Sequence, residues 1–180
     1  PKGYHVSSDG QISFSDDETK LYFGLALPEI YQDTLLLKEE IVDVEVWTYD
    51  EPRLYTIQEM QLNNDKKKSF KSVYNFDNKK VIQISNKAFP NAIISEHGNS
   101  EYALISNPQP YQLSSQWTAL FSKNDLAVKN IKNGDSEVVI KGNPSLARLS
   151  PQGYYAYGYN QVDSTWYTHL SLIHNSDPTR

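Results

Sequence analysis

The residues that could do acid–base, nucleophilic or metal chemistry are few in this chain and poorly spaced for it. Four histidines occur, His5, His97, His169 and His174. No pair has the His-x-x-x-His spacing that puts two imidazoles on one helix face around a metal. His97 precedes Gly98 in a stretch that reads as a turn, so it is a turn residue before it is a general base. Carboxylates come as neighbours, Asp16-Asp17 and Glu39-Glu40, or alternate, as Asp43 and Glu45 do. Acid–base work needs two carboxyl groups facing each other across a substrate with separated pKa values. Neighbouring acids on a turn read as solvated surface. Asp16-Asp17-Glu18 lacks the glycine and the spacing of a calcium loop. No Gly-x-Ser-x-Gly elbow exposes a serine nucleophile, and the eight glycines are scattered rather than gathered into a phosphate cradle. Without cysteine there is no disulfide, thiolate ligand or thiol nucleophile. The expectation is a chain with no catalytic, metal or cofactor residue of its own.

Composition narrows the class. The 180 residues suffice for one domain, and 38% of them are apolar. Aromatics are prominent, with 13 Tyr, 6 Phe and 3 Trp, and such side chains suit half-buried pleated surfaces. The net charge of -5 argues against a nucleic-acid partner, which would need a basic face to displace counterions. The single basic run, Lys66-Lys67-Lys68, follows Asp65 and reads as a solvated loop. No apolar run approaches the roughly 20 residues of a membrane span. The first residue is Pro1 rather than Met, and the natural N-terminus is expected to lie upstream.

A repeat organises the chain. Residues 12–24 and 146–158 each read as a short strand, a Ser-led turn and an aromatic-rich strand. Ser15-Asp16-Asp17 and Ser150-Pro151-Gln152-Gly153 occupy the same place, with residue types chosen for turn chemistry. The strand after the first turn alternates, Leu21 and Phe23 against Lys20 and Tyr22. A weaker copy has Ala92–Ser95 as strand, Glu96–Asn99 as turn and Tyr102–Ser106 as strand. Further strand pairs follow. Val42–Tyr49 alternates. Segments 72–76 and 80–84 flank Asp77-Asn78-Lys79. Segments 126–131 and 137–140 flank Asn133-Gly134-Asp135, where Asn-Gly predicts positive φ at both positions. Trp166-Tyr167 opens a third strand of the last copy.

Two insertions stretch the first copy. Residues 25–40 contain the strand-breaking Pro28, and Thr56-Ile-Gln-Glu59 within 54–68 predicts a capping box opening a short helix, Ile57 and Met60 sharing a face. The stretch from Pro108 to Trp117 carries two prolines and reads as a loop. That loop either lines a binding surface or tucks Tyr111 and Trp117 between neighbouring sheets, the second being expected. The fold class is all-β, a partial β-propeller of about three antiparallel blades over residues 3–85, 86–142 and 143–169, with a β-sandwich as the rival. Three blades cannot close a ring, so open edges are expected to drive association.

Two resemblances add to this. Residues 170–180, LSLIHNSDPTR, resemble the translated sequencing adapter LSLIHISEPTR, differing at Asn175 and Asp177. The tail is therefore set aside as foreign, His174, Asp177 and Arg180 included. Residues 150–157 resemble the Ser-Pro-Asp-Gly-Lys signature of TolB-like and peptidase propellers, with Gln152 and Tyr154 departing from its Asp and Lys. Residues 12–17, 42–47, 73–81 and 114–117 are similar to the N-terminal propeller of prolyl-oligopeptidase-family serine peptidases of Bacteroidetes type. That resemblance implies a downstream α/β-hydrolase domain in the same chain, carrying Ser, Asp and His, and a propeller that admits or selects peptide substrates. It also implies a periplasmic or extracellular place. None of the three catalytic positions falls in these residues. Glu39-Glu40 does not match the paired glutamates of dipeptidyl-peptidase relatives. The other reading is a TolB-like binding or scaffold propeller without a catalytic domain.

Overall fold

In the computed structural model, residues 3–28, 48–117, 123–144 and 147–170 are described. They are mostly β, 42% strand with two short helices. Among the described residues twelve strands form three antiparallel sheets that follow one another along the chain.

The first sheet takes β1 (His5–Val6), β2 (Ser13–Phe14), β3 (Lys20–Ala26), β4 (Phe70–Asn75) and β5 (Lys80–Gln83). β1 and β2 share one edge of β3, pairing at Val6↔Leu25 and Phe14↔Leu21. Between them the backbones of Gly10 and Gly24 approach so closely that a Cβ on Gly10 would lie 2.6 Å from the Gly24 Cα. The second sheet is β6 (Asn91–Ile93), β7 (Tyr102–Asn107), β8 (Asn124–Asn130) and β9 (Ser136–Asn143). The third is β10 (Ala147–Leu149), β11 (Tyr155–Asn160) and β12 (Thr165–Leu170).

The two inner strands of the second sheet, β7 and β8, are buried on both faces. Side chains alternate along a strand, so neighbouring residues serve opposite layers. Ala103, Ile105 and Ala127 pack with Tyr22 and Val73 of the first sheet, with Ile84 just after β5 and with Ile131. Leu104, Leu126 and Val128 pack with Ala147, Leu149 and Ala156 of the third. This is why β7 and β8 read as continuous apolar runs rather than as clean alternation.

The helices lie in matching connections. α1 (Tyr55–Lys66) falls between β3 and β4, and α2 (Gln109–Trp117) between β7 and β8. The third sheet has a tight turn there, with Ser164 at φ 55°. The expected helix near residue 56 is present, but its capping box is not. Leu54 is the N-cap and has no side-chain cap bond, and Met60 is 83% exposed rather than sharing a packed face with Ile57. The entry is held instead by the Gln58 Nε2 donating to the Arg53 carbonyl at 2.8 Å. The Arg53–Asp65 ion pair at 2.7 Å ties the two ends of the helix.

The stretch expected as a loop, Pro108–Trp117, is helical from Gln109. Pro108 precedes the helix and Pro110 falls in its first turn, where a missing N–H is no loss. The Asn107 side chain accepts the Gln109 N–H at 3.0 Å and starts the helix. At Asn133-Gly134 only the glycine has positive φ, 90°. The connection is wider than a two-residue hairpin turn. Asn130 Oδ1 accepts the Lys132 and Asn133 N–H groups, and the Asp135 carbonyl accepts the Asn130 N–H at 2.8 Å. Most of the expected strand Val42–Tyr49 lies outside the described residues, as does the tail after Leu170.

Candidate functional site

Each sheet turns from its first strand to its second through one local structure. Ser15, Ser95 and Ser150 open the three turns, and all three are buried. Three residues on, Glu18, Gly98 and Gly153 are left-handed, at φ 56°, 69° and 75°. The N–H of each donates to the carbonyl of its serine at 2.8 to 3.0 Å. Five residues on, the N–H groups of Lys20, Ser100 and Tyr155 donate to the serine hydroxyls at 3.0, 3.3 and 3.3 Å. Seven residues on, each copy has a tyrosine, Tyr22, Tyr102 or Tyr157. The buried phase of β3 is Lys20 and Tyr22, while Leu21 and Phe23 are half-buried.

These turns interlock the sheets. The Tyr22 hydroxyl donates to the Gly98 carbonyl at 2.7 Å, and the Asp16 N–H to the His97 carbonyl at 2.9 Å. Lys20 is 6% exposed, and its Nζ donates to the Asn99 carbonyl at 3.0 Å. The approach leaves no room for side chains. A Cβ on Gly98 would come 3.1 Å from the Ser15 Cα, and one on Gly153 would come 1.9 Å from the Ser100 Oγ. Burial raises the Tyr22 phenol, and the Asp17 charge adds to it. The Ser15 hydroxyl, 2.6 Å from Asp17, lowers that carboxyl to about 2, helped by the Thr19 N–H and hydroxyl and by Lys20.

The chemistry-bearing residues of the sequence are thus placed plainly. His97 Nδ1 lies 2.7 Å from Asp16 Oδ2 in the exposed junction of the first two turns. Sequence reading missed this pair, because 81 residues separate its members and neither carries a motif. Ser15 is committed to Asp17 and to the Lys20 N–H, so the junction is a brace rather than a nucleophile and its base. His5 is in β1, and His169 in β12 opposite Ala156. Among the described residues no group of three or more His, Asp or Glu gathers as a metal site. Glu39, Glu40, Asp43, Glu45 and His174 lie outside them.

The opposite end of the sheets carries α1 and α2, neither of which buries a residue. Two clefts open there. One, of about 630 Å³, lies between the helices and is lined by Tyr49, Leu54, Tyr55, Leu113 and Trp117 with Glu51 and Gln58 at its polar side. The Gln116 Nε2 bonds the Pro52 carbonyl across it. Trp117 is 80% exposed, so the expectation that it tucks between sheets is corrected. Tyr111 does not tuck between sheets either; half-buried, it folds back on its own sheet, against β8 and β9. Its hydroxyl donates to Asp125 Oδ1 at 2.7 Å, which also accepts the Gly142 N–H, and this bond raises the phenol. The second cleft, of about 920 Å³, lies at the C-terminal end of α1, between Leu27, Pro28, Phe70, Lys87 and Pro90. No helix among the described residues is long and apolar enough to cross a membrane. Neither known protein families nor characterised proteins provide a match to the chain.

Proposed function

We propose that this chain is a non-catalytic section of a β-propeller, three successive blades that admit or select peptides for a serine peptidase domain further along the same polypeptide. What carries the reading is the repeated turn. Serine, left-handed residue, hydroxyl-bound N–H and tyrosine recur at the same offsets in three consecutive sheets. Successive blades of a propeller stack by such equivalent contacts. The peptidase branch rests on the similarity of residues 12–17, 42–47, 73–81 and 114–117 to prolyl-oligopeptidase propellers. The helix-bearing end, with its clefts, is the surface that would meet substrate, since loops on a rigid scaffold carry the contacts.

Reading the same gene downstream tests the peptidase branch. A Gly-x-Ser-x-Gly elbow within several hundred residues is expected, and a fluorophosphonate probe should label the complete protein but not residues 1–169. A gene that ends without that elbow leaves the same blades as a TolB-like scaffold and removes the hydrolytic role.

A further inference from the structure

We propose that the larger cleft of the helix-bearing end is a docking site for an acidic peptide segment, held by Lys66, Lys68 and Lys87. The charge balance of the cleft carries this. Of its described lining residues, Asp65 alone is anionic, and it is spent on Arg53 at 2.7 Å. The three lysines are exposed, and among the described residues none of them has a carboxylate partner. The partial charges of the helix ends cancel there, because the C-terminal end of α1 and the first residue of α2, Gln109, both border the cleft. Three lysines with no carboxylate partner among the described residues therefore face one cavity in a chain whose net charge is -5. Such a concentration of one sign against the sign of the whole raises the local concentration of an anionic partner.

The apolar part of the cleft selects among anions. Leu27, Pro28, Phe70 and Pro90 line it together with the lysines. A mineral anion would leave that surface wet, and a sugar–phosphate backbone has little to bury against it. A peptide that alternates carboxylate and aliphatic side chains satisfies both halves. By sequence alone Lys66-Lys67-Lys68 reads as a solvated loop. The structure puts Lys66 at the end of α1, and Lys87, from the connection between the first two sheets, lines the same cleft. The proposal concerns binding alone, so it stands or falls independently of whether a peptidase domain follows.

The test is fluorescence anisotropy on the full 180-residue chain. The probe is a labelled Ac-Leu-Glu-Leu-Asp-Leu amide, and its isosteric control is the Gln/Asn version. The acidic probe should bind, weakening about two- to five-fold for each of Lys66→Gln, Lys68→Gln and Lys87→Gln, and weakening further as salt rises. Lys141→Gln serves as the control and should change nothing. Exposed lysines leave folding untouched, which circular dichroism of each variant checks. Equal binding of the Gln/Asn peptide, indifference to the three substitutions, or no binding at millimolar peptide would each overturn the proposal. Displacement of the probe by inorganic phosphate or by single-stranded oligonucleotide at equal charge concentration would overturn it as well, by showing an unselective cation patch.

Discussion

The two ends of the stacked sheets are built in contrasting ways. At the turn end several buried polar groups are spent on neighbours. Lys20 reaches the Asn99 carbonyl, Tyr22 the Gly98 carbonyl and Asn75 the Ile131 carbonyl, and the three serine hydroxyls hold their own turns. At the helix end, α1 and α2 bury no residue, and Trp117, Tyr49 and Met60 are largely exposed. One end links successive sheets. The other holds clefts and lysines that have no carboxylate partner among the described residues. A fold divided in this way lets the helix-bearing surface vary without loosening the interlock.

Gly98 probes that division most sharply. Gly98→Ala adds a Cβ in a left-handed position and against the Ser15 backbone, so a loss of about 2–4 kcal/mol is expected from urea melts. Gly134→Ala shares the positive φ but meets only Ile82 at ordinary contact distance, 3.7 Å. It should lose about 1–2 kcal/mol from backbone strain alone. Equal losses would mean that the turns do not interlock. Next in size is Tyr22→Phe. It leaves the Gly98 carbonyl without its donor in a site where Tyr22 is 2% exposed, and about 1–2 kcal/mol should be lost.

The smallest effect is one of pH. The Asp17 carboxyl is lowered from 3.8 to about 2 by Ser15, Thr19 and Lys20. A lowered carboxyl stabilises the fold above its unfolded pKa, and that contribution fades as pH falls through the folded value. The window is therefore about pH 4 to 2, and Asp17 is partly exposed, so the contribution is modest. Asp17→Asn should flatten the melting temperature across that range relative to the unchanged chain. A slope that survives in Asp17→Asn would assign the acid sensitivity elsewhere.

Much of the turn end was legible in the sequence. Ser15, Ser150 and the weaker Ser95 marked the turns, and Asp77-Asn78 and Asn133-Gly134 marked two hairpins, because turn chemistry is local. The His97–Asp16 and Lys20–Asn99 contacts were not legible. They join residues about 80 positions apart, and only the stacking of sheets brings them together. The helix end was read less well. Pro108 and Pro110 suggested a loop, since proline breaks a strand pattern, yet the same residues are well suited to a helix start. Thr56 and Glu59 matched a capping box by spacing, but the Leu54 carbonyl takes the Ile57 and Gln58 N–H groups and moves the start. Local signals mark where a turn falls. They do not say which polar partner a neighbouring sheet will offer.

Native-state amide hydrogen exchange tests the contrast between the two ends most directly. The N–H groups of Lys20, Ser100 and Tyr155, each bound to a buried serine hydroxyl, should exchange slowly and as a set, whereas the N–H groups of α1 and α2 should exchange orders of magnitude faster. Helical amides as protected as those three, or a Tyr155 amide that exchanges far ahead of Lys20 and Ser100, would contradict the account of three equivalent, interlocked turns.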